Sequence, residues 1–84
     1  SLGMKPRLGI AAAIMEEPDI VVLDEPTNAL DESGIGLVKE ILFQQKERGA
    51  LVIVSCHDIS ILKEISDEIF KLEEGRVIDH FCPE

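Results

Sequence analysis

The sequence predicts an α/β fold, a parallel βαβ unit followed by a C-terminal hairpin, and three observations lead there. DIVVLD (residues 19–24) and ALVIVS (residues 50–55) are short, continuous apolar runs rich in Val and Ile, the pattern of parallel strands covered on both faces. The stretch between them carries apolar residues at helical spacing. Beyond them, EIFKLEEGRVIDHF (residues 68–81) alternates as two strands around a turn at Glu74 and Gly75.

Each element has its own local reason. A first helix is expected over residues 4–17, rich in alanine and long aliphatics, with Pro6 where a first turn tolerates it and Pro18 where a helix must stop. Gly9 weakens it. After the first strand, Asp31 is placed to cap a helix whose Val38, Ile41, Leu42 and Gln45 fall on one face, and Gly49 sits just past its end. Strand, helix and strand make one βαβ unit. Asp58 caps a short helix that aligns Ile61, Leu62 and Ile65, and the hairpin over 68–81 closes the chain. No internal repeat, linker or low-complexity segment interrupts this order.

Composition narrows the function classes. The 84 residues hold at most one small domain, and a chain of that size buries only about 60% of the surface its unfolded form exposes. Lys and Arg total 8 against 17 Asp and Glu, and a net charge of −9 opposes a polyanionic partner such as nucleic acid. Cys56 and Cys82 match neither a metal-ligand spacing nor a disulfide framework, and they read as free thiols of a reducing compartment. No apolar run approaches the roughly 18 residues that span a bilayer. A cytoplasmic location is expected, with any link to a membrane made through another protein.

Polar groups gather at the ends of the two strands. Ligands of open parallel sheets bind beyond the carboxyl ends of the strands, where the first strand delivers Asp24 and Glu25 and the second Ser55 and His57. A strand-end Asp can hold Mg²⁺, and the next residue can act as general base towards a water. A bare acidic pair after a strand more often begins a solvated loop, so the pair alone decides little. His80 reads as a surface histidine, and the Gly34–Gly36 stretch is no dinucleotide fingerprint, because no strand leads into it and a third glycine is missing.

Longer strings decide more. VVLDEPTNALD (residues 21–31) resembles the Walker B strand and D-loop of ATP-binding cassette (ABC) ATPases, and VIVSCHD (residues 52–58) resembles their switch-histidine segment. SLGMKPRLGIAAAI (residues 1–14) is similar to the SLGMKQRLGIA form of the ABC signature found in bacitracin- and lantibiotic-export ATPases, with Pro6 where that form has Gln. The three pieces occur in the family's order and cover nearly the whole chain. The resemblance implies the C-terminal part of a P-loop NTPase fold of the ABC type. Within it, the signature helix covers 4–17, Walker B and D-loop 19–31, the switch-histidine segment 50–58 and the terminal hairpin 68–81.

The same resemblance implies roles. Asp24 is the metal residue, holding the Mg²⁺ of Mg-ATP; Glu25 polarises the hydrolytic water; His57 contacts the γ-phosphate. Ser1 and Gly3 fall on signature positions that touch ATP bound to the opposite subunit, and Asn28 to Asp31 form a D-loop along the interface of a head-to-tail dimer. The cofactors are ATP and Mg²⁺. The partners are a second nucleotide-binding domain and a transmembrane permease, and the location is the inner face of the cell membrane.

No GxxxxGK[ST] phosphate-binding loop occurs in the 84 residues. The expectation is therefore a chain that carries the last third of an exporter ATPase, inactive by itself and prone to self-association. An ABC protein of translation, or a non-hydrolysing regulatory or dimerisation fragment, are the alternatives; Ala29 after the DEPTN string and the SLGMK start point towards transport.

Overall fold

A computed structural model of the chain describes residues 4–83, with side chains from residue 9 onward. Ser1 and Gly3 lie outside the described residues. The elements run α1 (Met4–Ile14), β1 (Ile20–Asp24), α2 (Glu32–Glu47), β2 (Leu51–Ser55), α3 (Ile59–Ile65), β3 (Ile69–Glu73) and β4 (Arg76–Phe81). β1 and β2 pair in parallel and β3 and β4 antiparallel, as two separate two-stranded sheets.

The first helix stops at Ile14, short of the expected residue 17. Glu17 turns into left-handed backbone (φ 51°) and its N–H donates to the Ile14 carbonyl at 2.9 Å. Pro18 disfavours helical backbone in the residue before it, so the helix closes early enough to let the chain reverse into β1. Arg48, at the far end of α2, donates from Nη1 to the Glu17 carbonyl at 3.2 Å and ties that corner down.

α2 begins and ends as its sequence requires. The Asp31 carboxylate accepts from the Gly34 N–H at 2.8 Å, satisfying one donor of the first turn. At the other end Gly49 (φ 93°) donates to the Lys46 carbonyl and Ala50 to the Gln45 carbonyl, the paired bonds of a Schellman motif. This closure leads directly into β2, whose Leu51 N–H donates to Asp19 at 2.8 Å and opens the parallel ladder.

The core lies on one side of the β1–β2 pair. Ile10 of α1 and Val38 and Leu42 of α2 pack with Val21 and Leu23 of β1, and Val52 and Val54 of β2 join them. Alternation sends Ile20, Val22, Leu51 and Ile53 to the opposite face, where Val22 is 64% exposed against 2% for Val21. The expectation that both strands are covered on both faces is therefore corrected for this chain. Among the described residues the helices cover one face and leave the other exposed.

α3 starts at Asp58, whose carboxylate accepts from the N–H groups of Ser60 and Ile61. Exposed ion pairs, Lys39 with Glu64 and Lys46 with Asp67, link α2 to this region and contribute little individually. In the hairpin, Glu74 (φ 50°) and Gly75 (φ 76°) form the two-residue turn that matches strand twist. Ile69 turns inward at 5% exposure.

Gly36 sits in α2 with nothing within 4 Å of where a Cβ would be. Gly36→Ala should therefore stabilise the chain by up to about 1 kcal/mol, from lower unfolded-state entropy and better helix propensity. Thermal or urea unfolding followed by circular dichroism checks this, and an unchanged or lower midpoint would contradict the placement.

Candidate functional site

The parallel register sets Asp24 opposite Ser55, so both strands deliver their last residue to the same edge. There the Ser55 hydroxyl donates to Asp24 Oδ1, and its oxygen accepts from the Glu25 N–H at 3.1 Å. The same N–H reaches the Ser55 carbonyl at 2.9 Å. Ser55 thereby holds the acidic pair through both its backbone and its side chain.

Glu25 leaves the strand in the left-handed region (φ 48°), which a residue with a Cβ adopts at a cost. The turn carries its carboxylate towards the second strand, where Glu25 Oε1 lies 2.6 Å from His57 Nδ1. A carboxylate only accepts, so Nδ1 is the donor in this contact, and Nε2 is the atom free to meet a ligand. The His57 side chain is 82% exposed and that of Glu25 30%, an arrangement open to solvent on the histidine side.

The loop that follows is folded on itself. Asn28 N–H donates to the Glu25 carbonyl and Leu30 N–H to that of Thr27, with Ala29 in left-handed backbone (φ 62°). Pro26 and Thr27 are buried while Asn28 is exposed. Thr27 Oγ1 lies 3.9 Å from Cys56 Sγ, which also accepts from the Asp58 N–H at 3.4 Å. The thiol thereby links the Thr27 turn to the start of α3.

Of the residues singled out in the sequence, Asp24, Glu25 and His57 come together in one hydrogen-bonded cluster. Asn28 belongs to the adjoining turn, and the Asp31 side chain is engaged as the α2 cap. Ser55 is the linking residue, which the sequence marks only as a strand-end polar group. Its signal was positional, as the last residue of a strand in register with the one ending at Asp24. A shallow depression along α2, bordered by Gly36, Lys39, Phe43 and Glu47, shares no residue with the cluster.

As a donor set, an exposed carboxylate beside a serine hydroxyl suits a hard cation that keeps most of its ligands as water and phosphate oxygens. Asp24 fits Mg²⁺ on that ground. Glu25, held by His57, keeps acceptor capacity for a water proton.

The ABC transporter family matches residues 1–28 of the chain. YybJ, an uncharacterised ABC transporter ATP-binding protein of Bacillus subtilis (strain 168), is 49% identical over 77 residues, which are 92% of this chain and 35% of that protein. The bacitracin transport ATP-binding protein BcrA of Enterococcus faecalis is 45% identical over 80 residues, 94% of this chain and 26% of that protein. A solved dimeric ATP-binding cassette in a post-hydrolysis state, bound to ADP and Pi, aligns with a TM-score of 0.90 at 29% identity, covering 100% of this chain and 36% of that one. The chain spans 26–35% of the length of these two relatives.

Because Asp31 caps α2 at the foot of the Asn28–Asp31 loop, Asp31→Ala should lower stability by roughly 1 kcal/mol. Asp31→Asn should restore most of it, since the amide oxygen still accepts. Equal losses in the two variants, measured by urea unfolding, would show that the charge and not the cap matters there.

Proposed function

Since the chain belongs to the ATP-binding proteins of the ABC transporter family, we propose that the protein carrying it is the ATP-binding and hydrolysing subunit of an ABC transporter, of the bacitracin- and lantibiotic-export type. The observation that carries this reading is the contact of His57 Nδ1 with Glu25 Oε1 at 2.6 Å beside Asp24, at the shared carboxyl edge of two parallel strands. A relative 45% identical to the chain is a bacitracin transport ATP-binding protein, which supports the transport class.

Asp24 is the residue that would hold Mg²⁺, and the bound metal supplies charge neutralisation to the phosphates of ATP. Glu25 orients the attacking water and accepts its proton as general base. His57 restrains the Glu25 carboxylate through Nδ1 and presents Nε2 towards the γ-phosphate, where a proton on that nitrogen would donate to developing negative charge. Ser1 and Gly3 act in trans, on ATP held by a second nucleotide-binding domain, and Asn28 to Asp31 line the interface between the two. The dimeric cassette with ADP and Pi supports that assembly.

Coupling to transport calls for a transmembrane permease as the other partner, with this subunit on the cytoplasmic, inner face of the cell membrane. Among the described residues no helix is long and apolar enough to cross a membrane.

In the full-length protein, Glu25→Gln should leave ATP binding intact and slow turnover by about 10²-fold or more, within the range general bases contribute. His57→Ala should also slow turnover while leaving the melting temperature nearly unchanged, because the side chain is exposed. Unchanged turnover in Glu25→Gln removes the general base from the mechanism. Parallel losses of activity and melting temperature in His57→Ala make that histidine a structural residue.

The 84-residue chain by itself should show no ATP turnover, because a phosphate cradle of backbone N–H groups and a lysine is needed as well as the metal carboxylate. It should also self-associate. Ile20, Val22, Leu51 and Ile53 are exposed side by side on a two-stranded sheet, a surface and an edge open to pairing. Sedimentation velocity across a hundredfold range of concentration tests this, and a single monomeric species throughout would refute it.

A further inference from the structure

The hairpin carries a second constellation on the face turned away from the core. β3 and β4 pair Ile69 with Phe81 and Phe70 with His80. Alternation places Phe70 and His80 on the face opposite the buried Ile69, and the flanking residues Glu68 and Cys82 fall on that same face. Four side chains form a two-by-two block at the open end of the hairpin, away from the Glu74–Gly75 turn.

Their geometry is convergent. The Phe70 and His80 rings stack with centroids 4.2 Å apart and planes within 1°, which fixes the plane of the imidazole. His80 Nε2 lies 4.0 Å from Glu68 Oε2, too far for a hydrogen bond. One ligand atom each from Glu68, His80 and Cys82 falls within 4.8 Å of the others. Among the described residues none of these three side chains is engaged in a hydrogen bond, so all three donors are available.

We propose that Glu68, His80 and Cys82 form a binding site for a borderline transition-metal cation, zinc above all, that clasps the open end of the hairpin. One carboxylate oxygen, one imidazole nitrogen and one thiolate match the ligands that Zn²⁺ and Co²⁺ take, while the sulfur disfavours Mg²⁺ and Ca²⁺. Tetrahedral binding at about 2.0–2.3 Å per ligand puts ligand atoms roughly 3.5 Å apart, so closure needs about 1 Å of side-chain rotation. The fourth position is left to water. Cys82 enters as the thiolate, and binding displaces its proton to solvent.

The cation would act as a staple. Glu68 precedes β3 and Cys82 follows β4, so the metal joins the two strand ends that the turn does not join. This site uses no residue of the strand-end cluster and is independent of its function.

The test is cobalt titration of the reduced 84-residue chain in a phosphine reductant that does not bind metal. A thiolate-to-cobalt charge-transfer band should grow and saturate near one equivalent, then vanish on adding zinc and persist in excess magnesium. Cys82→Ser should abolish the band and Cys56→Ser should keep it. His80→Ala and Glu68→Gln should each weaken binding at least tenfold. Zinc should also slow alkylation of Cys82 at least tenfold while leaving the rate at Cys56 unchanged, a readout on the unaltered chain that needs no variant to fold. Absence of the band, its survival in Cys82→Ser, or equal zinc effects at the two thiols would overturn the proposal.

Discussion

Parallel strands cannot be joined by a tight turn, so the pairing of β1 with β2, from Ile20 opposite Leu51 to Asp24 opposite Ser55, obliges the chain to run the whole of α2 between them. That one register does two things together. It sets alternate residues of both strands against α1 and α2, and it brings both carboxyl ends to one edge. A slip by one residue would turn Val21 and Leu23 outward and separate Asp24 from Ser55. Core and site therefore share a single specification, enforced at the other end by the Schellman closure of α2 and the Leu51–Asp19 bond.

The core this register builds is small and one-sided. Val21 and Val38 are almost wholly buried, and full burial of such a side chain contributes about 1.5–3 kcal/mol. Ordering the backbone opposes this by roughly 1–2 kcal/mol per residue, so a handful of buried aliphatics leaves little net stability. The bare face of Ile20, Val22, Leu51 and Ile53 is where apolar area is available but not used within the chain. Local devices carry unusual weight in consequence: the Asp31 and Asp58 caps, the Arg48 contact with Glu17, and the tight hairpin turn.

At the strand-end cluster the backbone accepts strain for placement. Glu25 and Ala29 both adopt left-handed angles without being glycine, a cost of order 1–3 kcal/mol each in unfavourable cases. Without the turn at Glu25, strand alternation would direct its carboxylate to the face opposite Asp24. With it, the carboxylate meets His57, and the Ser55 hydroxyl and carbonyl take up the Glu25 N–H. The buried Thr27, close to Cys56, anchors the loop so that the exposed groups do not have to.

Much of this was legible in the residues themselves. Apolar runs, caps and turn chemistry are local signals, and they located both strands, the Asp31 and Asp58 helix starts, the Gly49 closure and the Glu74–Gly75 turn. The linear string from Val21 to Asp31, with VIVSCHD behind it, likewise marks Asp24, Glu25 and His57 as strand-end polar groups. Tertiary structure decided what depends on partners distant in sequence. Apolarity at every strand position could not tell which face the chain itself covers, since that depends on where α1 and α2 dock. Pro18 bounded the first helix but not its last turn, which Glu17 closes under the hand of Arg48. Ser55 became part of the site, and Glu68, His80 and Cys82 a cluster, only through strand register, because residues 12 and 14 positions apart meet when a hairpin folds and not before.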